Sequence, residues 1–347
     1  MITSAYIRKY SDINSCDVIA VGSKNALLGD MYTKLSSLGI NVPDGFAVTS
    51  FAFEYFLTAN ALHQQLHTLM SGLDKKDLSN LNTIGATARA LIMRGTMPYY
   101  LVVAIRNAYD ELCEREGKKI DLAVRSSTSA ESLPLASFAG LHESFLNISD
   151  ADDLLDAIKQ CFASLYTNRA IKYREENHFT HAKLFFSVGV QKMIHAENGC
   201  SGFITASDST GHKLEFTAAQ GLHKNATEAN LFTDHFFVYG SGFSEDNIVI
   251  VKKPLHNKKQ PQVGARNDDT RTKAKLAQLH KCVLTKDEIT TLATWTAIVQ
   301  KHYAKPMDLE WAKDGNTGKL YIVGARPAFA GSVRKTLPSK RYVAVGG

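Results

Sequence analysis

The stretch that decides the reading is DLAVRSSTSAESLPLASFAGLHESFLN, Asp121 to Asn147. It opens as a short apolar strand and breaks at Arg125. A long run dominated by Ser, Ala, Thr and Gly follows before apolar residues return at Phe145 and Leu146. Loops of this length are uncommon in compact domains and are usually functional or disordered. An arginine at a strand end can donate a planar fork of hydrogen bonds to phosphate oxygens. Ser126, Ser127, Thr128 and Ser129 bring small hydroxyl groups, and Gly140 allows close backbone approach. A mobile polar loop would look the same from these residues alone.

Working outward, helices and strands alternate. NALLGDMYTKLSSLG, from Asn25, has apolar residues at helical spacing and Gly39 as its stop. INVPDGFAVTS reads as strand, turn, strand, and residues 50–116 as mostly helical. The stretch from Asp150 to Asn177 is a long helical run capped by Asp150. FFSVGVQKMIHA reads as a strand through Val188, Val190 and Met193. CSGFITASDSTGHKLEFTAAQG reads as a hairpin turning at Thr210-Gly211, and 231–265 as β-rich and polar. TKDEITTLATWTAIVQKHYA reads as a helix with Thr285 as cap and Glu288 three residues on, a capping box. PMDLEWAKDGNTGKLYIVGARP is a hairpin around its DGNTG turn.

Composition narrows the classes. The chain has 347 residues, enough for two domains or two lobes. With 44% hydrophobic and 21% charged residues it is ordinary globular material. A net charge of +6 suits an anionic ligand but does not argue for nucleic acid. The five cysteines are scattered and odd in number, which disfavours zinc and a disulfide framework and fits a reducing cytoplasm. MITSAYIRKYSD has no apolar core of a signal peptide. No apolar run approaches the roughly 20 residues that span a bilayer.

Two further segments carry phosphate chemistry. In AVGSKNALLGDM, Gly22 permits a tight turn and Lys24 sits just before a helix N-terminus, where both the ammonium and the helix end attract phosphate. The plain alternative is a surface lysine beside an ordinary turn, and no Walker A loop occurs. In the C-terminal hairpin, Asp308 and Glu310 lie at i, i+2, so both face one way on a strand. Arg326 returns beside them. Two such carboxylates can share a magnesium ion while the arginine meets phosphates. A surface ion pair is the alternative, although Met307, Leu309 and Trp311 argue that this strand is buried on one side and its carboxylates costly to keep without a ligand.

In this order and spacing the segments resemble the N-terminal nucleotide-binding domain of the phosphoenolpyruvate synthase (pyruvate, water dikinase) family, related to the pyruvate phosphate dikinase N-terminal domain. The matching motifs are VGSKNALLGDM, INVPDGFAVT, AVRSSTSAESLPLASFAGLHESFLN, LYTNRAIKYR, SVGVQKMI, HYAKPMDLEWAKDG and LYIVGARP. They run from Val21 to Pro327. The resemblance implies an α+β, two-lobed ATP-grasp fold with mixed or antiparallel sheets and a helical insertion at about 50–116. It implies an N-terminal lobe over 1–195, a C-terminal lobe over 196–332 and a tail or linker over 333–347. Mg-ATP is expected in the cleft between lobes. Lys24 and Arg125 would contact phosphates, and Ala139 and Gly140 would belong to a loop folded over the triphosphate. The strand Gln191, Lys192, Met193, Ile194 would line the adenine pocket. Glu310 would be a magnesium ligand, with Asp308 near metal and phosphates and Arg326 on the transferred phosphoryl group.

The chain also departs from the family pattern. Ser23 stands where the family has a second glycine. His223 and Lys224 follow Gly-Leu where the family has glycine and a ribose-binding glutamate. Gly324 replaces a glutamine that would bind metal, and Ala328 replaces a glutamate after Arg-Pro. The hairpin at Gly202 is about one residue short against the family. In the family, ATP phosphorylates a histidine on a separate domain. None of the twelve histidines here sits in a recognisable phosphohistidine motif. The acceptor domain is therefore expected in cis, if the sequence is a fragment, or in trans. Two alternatives stand beside this cytoplasmic phosphotransferase: a nucleotide-binding module without catalysis, and an ATP-dependent phosphotransferase or ligase with another acceptor. No nucleic-acid or membrane partner is expected.

Overall fold

The computed structural model describes residues 3–129, 143–177, 185–206, 212–222, 233–240, 243, 247–252, 283–328 and 343–344. It divides into two compact units, Met1–Met193 and Ile194–Gly347.

The first unit is built on an antiparallel five-stranded sheet in the order β1 (Ile7–Lys9), β2 (Gly45–Val48), β5 (Phe186–Lys192), β3 (Leu122–Thr128), β4 (Ser144–Ile148). Its centre is the seven-residue register of β3 with β5, from Leu122↔Lys192 to Thr128↔Phe186. Alternation sorts the two faces. Leu122, Val124, Phe186, Val188 and Val190 enter the hydrophobic core. There they join residues of α3 (Ser50–Ala59), α4 (Leu62–Ser71), α5 (Leu81–Arg94), α6 (Tyr99–Arg115), α7 (Ala151–Ser164) and α8 (Asn168–Glu176), where α1 is the short turn Thr3–Tyr6. Phe162 sits between Phe53, Phe56 and Phe186, with ring centroids 4.8, 5.3 and 6.3 Å away. The opposite sheet face lies under α2 (Val18–Lys34).

Several elements differ from the sequence expectation, each for a local reason. Arg125 is not at a strand end. It is the fourth residue of β3, because β5 pairs with the chain as far as Thr128, and Ser126, Ser127 and Thr128 are buried strand residues. The helix expected from Asn25 starts at Val18 and is broken at Gly22, and Gly39 stops a 3₁₀ turn, Ser36–Leu38, that follows it. INVPDGFAVTS yields one strand, since Pro43 has no N–H to give a ladder and pairing begins at Gly45. The long helical run is two helices. Thr167 accepts from Ala170 N–H and starts the second. The Asp150 cap forms as expected, accepting from Asp152 and Asp153 N–H at 3.0 and 2.8 Å. Strand β5 ends at Lys192, one residue before Met193, whose N–H turns to the Asp121 carbonyl at 2.8 Å.

The second unit is an antiparallel seven-stranded sheet. Its order is β11 (Leu320–Pro327), β10 (Met307–Lys313), β6 (Cys200–Ala206), β7 (Lys213–Gln220), β8 (Thr233–Tyr239), β9 (Val249–Lys252), β12 (Val343–Ala344). The β6–β7 and β10–β11 hairpins are as expected, although Thr210-Gly211 lies outside the described residues, as does most of 231–265. Helix α9 (Lys286–Tyr303) carries the capping box: Glu288 N–H donates to Thr285 Oγ1 at 3.2 Å and Thr285 N–H to Glu288 Oε2 at 2.9 Å. It packs on β10, whose Met307, Leu309 and Trp311 are buried. The protein is thus α+β in two lobes, the class expected of an ATP-grasp fold. Among the described residues, no helix is long and apolar enough to cross a membrane.

Removing the ring at the centre of the aromatic cluster tests this core. Phe162→Ala should destabilise the first unit by about 3–5 kcal/mol, the range for large-to-alanine truncation of buried aromatics. Urea denaturation followed by circular dichroism measures it, and a loss below about 1 kcal/mol would remove Phe162 from the core.

Candidate functional site

In the first unit the site is organised by the break in α2. Gly22 adopts φ 74° and ψ 164°, a conformation that only glycine takes cheaply. A Cβ there would come within 2.7 Å of the Ser127 carbonyl carbon, so α2 meets β3 with no space for a side chain. The helix restarts beyond the break, and its first N–H groups have no partner in the helix. Lys24 N–H is one of these and donates to Ser127 Oγ at 3.1 Å. Ser23 Oγ donates to the Ser129 carbonyl at 3.4 Å. On the other flank, the Val21 carbonyl accepts from Asn25 Nδ2 at 2.8 Å and from the Ser187 hydroxyl. Tyr10 donates to Asn25 Oδ1 at 3.3 Å. Burial raises the Tyr10 phenol pKa, and the charge of Arg125 pulls it the other way, which places Arg125 within electrostatic reach of this cluster.

Arg125 is half-buried, opposite Gly189 of β5 and Ser144 of β4. It shares the strand face of Ser127, two residues on. Lys24, also half-buried, is held to that same Ser127. The structure therefore brings Lys24 and Arg125 to one side of one sheet. The expected adenine-lining run Gln191 to Ile194 is not a continuous strand. Gln191 is buried in β5 opposite Ala123, and Lys192 ion-pairs with Glu116. Met193 is buried just past the strand, and Ile194 belongs to the second unit, packed with Ala196, Ala312 and Val323. Ala139 and Gly140 lie outside the described residues. The sequence reading missed Tyr10, Asn25 and Ser187. Their signal is only a polar residue at a buried position, which becomes visible once α2 is placed on the sheet.

In the second unit the β10–β11 hairpin sets Asp308 opposite Arg326 and Glu310 opposite Gly324. Arg326 Nε donates to Asp308 Oδ2 at 3.2 Å, with Nη2 at 3.2 Å from the same oxygen. Ala206 N–H donates to Asp308 Oδ1 at 3.3 Å. A Cβ added at Gly324 would stand 3.0 Å from Glu310 Oε2, so position 324 faces that carboxylate. Toward the turn the register slips by one: Trp311 pairs with Ile322 and Val323 bulges out. At the turn, Asp314 Oδ1 accepts from Asn316 and Thr317 N–H at 3.0 and 2.8 Å. Two oxygen-donor side chains and a guanidinium thus share one strand face. Among the described residues, no group of three or more His, Cys, Asp or Glu gathers as a metal cluster. Of the departures, Ala328 N–H donates to the Pro306 carbonyl at 3.0 Å, while His223 and Lys224 lie outside the described residues.

Asp308 is 6% exposed. Burial raises its pKa above the ordinary 3.8, against the pull of Arg326. A carboxyl raised in the folded state contributes stability that is complete below its unfolded value and is lost as pH rises through the folded value. The stability of the protein relative to its Asp308→Asn variant should therefore fall as pH rises upward from 3.8. Urea titrations of both proteins across that range measure the difference, and a flat difference would contradict the burial of an ionising Asp308.

The family model for the pyruvate phosphate dikinase AMP/ATP-binding domain matches residues 18–341. The chain is 39% identical to the phosphoenolpyruvate synthase of Synechocystis sp., over 98% of this chain and 44% of that protein. It is 39% identical to the phosphoenolpyruvate synthase of Aquifex aeolicus, over 94% of this chain and 40% of that protein. For the Escherichia coli phosphoenolpyruvate synthase the values are 36%, 94% and 42%. The chain therefore spans less than half the length of these relatives. Because the match covers both units, with the Gly22 break and the β10–β11 hairpin inside it, the chain belongs to the pyruvate phosphate dikinase AMP/ATP-binding domain family.

Proposed function

We propose that the chain binds Mg-ATP and performs the ATP half-reaction of phosphoenolpyruvate synthesis, transferring a phosphoryl group to a histidine on a separate domain, in cis or in trans. The observation that carries this is the pairing on β10 and β11, where Asp308 meets Arg326 and Glu310 meets Gly324 on one face. A buried carboxylate costs free energy unless paired or bound, and this hairpin keeps the buried Asp308 beside a cation, with the half-buried Glu310 on the same face. In the first unit, Lys24 and Arg125 supply positive charge on one side of the sheet. Family membership and the similarity to phosphoenolpyruvate synthases support the same reading.

The donor set suits magnesium, which takes one or two carboxylates and completes its shell with phosphates and water. Glu310 would hold the ion, and Asp308 would sit near metal and phosphates while keeping Arg326 in place. Magnesium held there would supply positive charge against the phosphates. Arg326 would meet the transferred group, while Lys24 and Arg125 would bind and orient the remaining phosphates. Catalysis in such a site is positioning and electrostatic stabilisation. Gln191 to Ile194 would line the adenine, and Ala139 and Gly140 would cover the triphosphate. We assign the two lobes to 1–195 and 196–332, and the protein to the cytoplasm. Nothing in the charge pattern supports a nucleic-acid partner.

A second reading, a nucleotide-binding module without catalysis, is favoured by Gly324, which offers no side chain where the family pattern has a metal-binding glutamine. Two experiments test the readings. Mg-ATP at 100 times its Kd should stabilise the fold by roughly 2.7 kcal/mol, seen as a rise in Tm; no shift with ATP or ADP, with or without magnesium, would refute both. Gly324→Gln should then make ATP affinity depend more steeply on magnesium and speed transfer to a supplied histidine domain. The new Cβ would stand 3.0 Å from Glu310 Oε2 and 3.3 Å from its Cβ, so the Glu310 side chain must shift by a few tenths of an ångström to admit it. An unchanged magnesium dependence would show that position 324 takes no part in metal binding.

A further inference from the structure

The cluster beneath Gly22 has more polar groups than packing requires. Ser127 is 1% exposed and Ser187 0%. Asn25 and Tyr10 are buried with them. Alanine at 127 and 187 would fill a packing role. Their hydroxyls instead reach the two backbone groups that flank the break, Lys24 N–H and the Val21 carbonyl. Ser187 Oγ also lies 3.3 Å from the Ser127 carbonyl and 3.4 Å from Asn25 Nδ2, so β3, β5 and α2 are joined at one point. At Gly189, opposite Arg125, an added Cβ would strike Asn25 Oδ1. The helix is thus seated against the strand directly beside the arginine.

We propose that Ser127, Ser187 and Asn25 are positioning residues that hold Lys24 in register with Arg125 for nucleotide phosphate. Ser127 binds the Lys24 backbone and lies two strand residues from Arg125, about 6.6 Å along the strand. The spacing between the two cations is therefore fixed by the pitch of β3 and not by the fit of α2 alone. The Val21 carbonyl, held by Asn25 and Ser187, keeps the broken turn from sliding along the sheet. This inference rests on the ATP-binding reading above and assigns a role to residues that act through the Lys24 backbone.

The test is a double-mutant cycle on Mg-ATP affinity, measured by calorimetry with the whole chain: Ser127→Ala, Lys24→Ala and the double variant. Ser127→Ala should raise Kd about tenfold, equivalent to about 1.4 kcal/mol. In the Lys24→Ala background the same change should cost less than about twofold, because Ser127 acts through Lys24. A purely structural role would cost the same in both backgrounds and would overturn the proposal. So would wild-type affinity in Ser127→Ala when Lys24→Ala binds weakly. If Lys24→Ala itself binds ATP normally, the phosphate role of Lys24 fails and the proposal with it. Should Ser127→Ala not fold, Ser187→Ala takes its place in the cycle, with the same expectation. Failure of both to fold would mark the cluster as core support and overturn the positioning role.

Discussion

The antiparallel pairing of β3 with β5 is the constraint on which the first unit depends. Seven consecutive residues on each strand are matched, and the two faces they create have opposite chemistry. One face is an apolar layer continued by the helices from Ser50 to Arg115 and from Ala151 to Glu176. The other carries Arg125, Ser127, Ser187, Gly189 and Gln191 beneath α2. A slip of one residue would exchange these faces, placing Arg125 in the core and Val124 under the helix. The cost of burying that charge fixes the register, so the core and the cationic side of the sheet are specified together.

The second unit solves a related problem by other means. Its hairpin places a carboxylate at 6% exposure and satisfies it with a guanidinium and a backbone N–H. The capping box of α9 and the Asp314 turn are local devices. In the latter, burial opposes ionisation of Asp314, but backbone donors from Thr317, His195 and Asn316 outweigh it and lower its pKa. Such devices set the ends of elements, while the sheet order β11-β10-β6-β7 brings together segments about a hundred residues apart.

How much of this was legible depends on whether the deciding partner is near or far in sequence. Asp150, Thr285 and Glu288 act within three residues, and each cap was readable. The Asp308–Arg326 pair spans a short turn, and that was readable too. From sequence Arg125 looks like a strand end, because Ser126, Ser127 and Thr128 have loop-like composition. Their strand state is imposed by β5, some sixty residues away. Likewise Asn25 and Ser187 gave no sign of sharing a carbonyl, since their contact spans |i−j| = 162. The run Gln191 to Ile194 looked like one strand because its apolar character continues past the point where pairing stops.

The bulge in the last hairpin protects the charged pair from a change in strand length. Counted back from the turn in the register that joins Trp311 to Ile322, Glu310 would stand opposite Val323 and Asp308 opposite Ala325. Arg326 would then face Met307, and the charged pair would not exist. Bulging Val323 out of the ladder instead sets Asp308 against Arg326 and Glu310 against Gly324. Because the bulge leaves Val323 out of the ladder, the strand accommodates one more residue while Asp308 stays opposite Arg326 and Trp311 stays opposite Ile322.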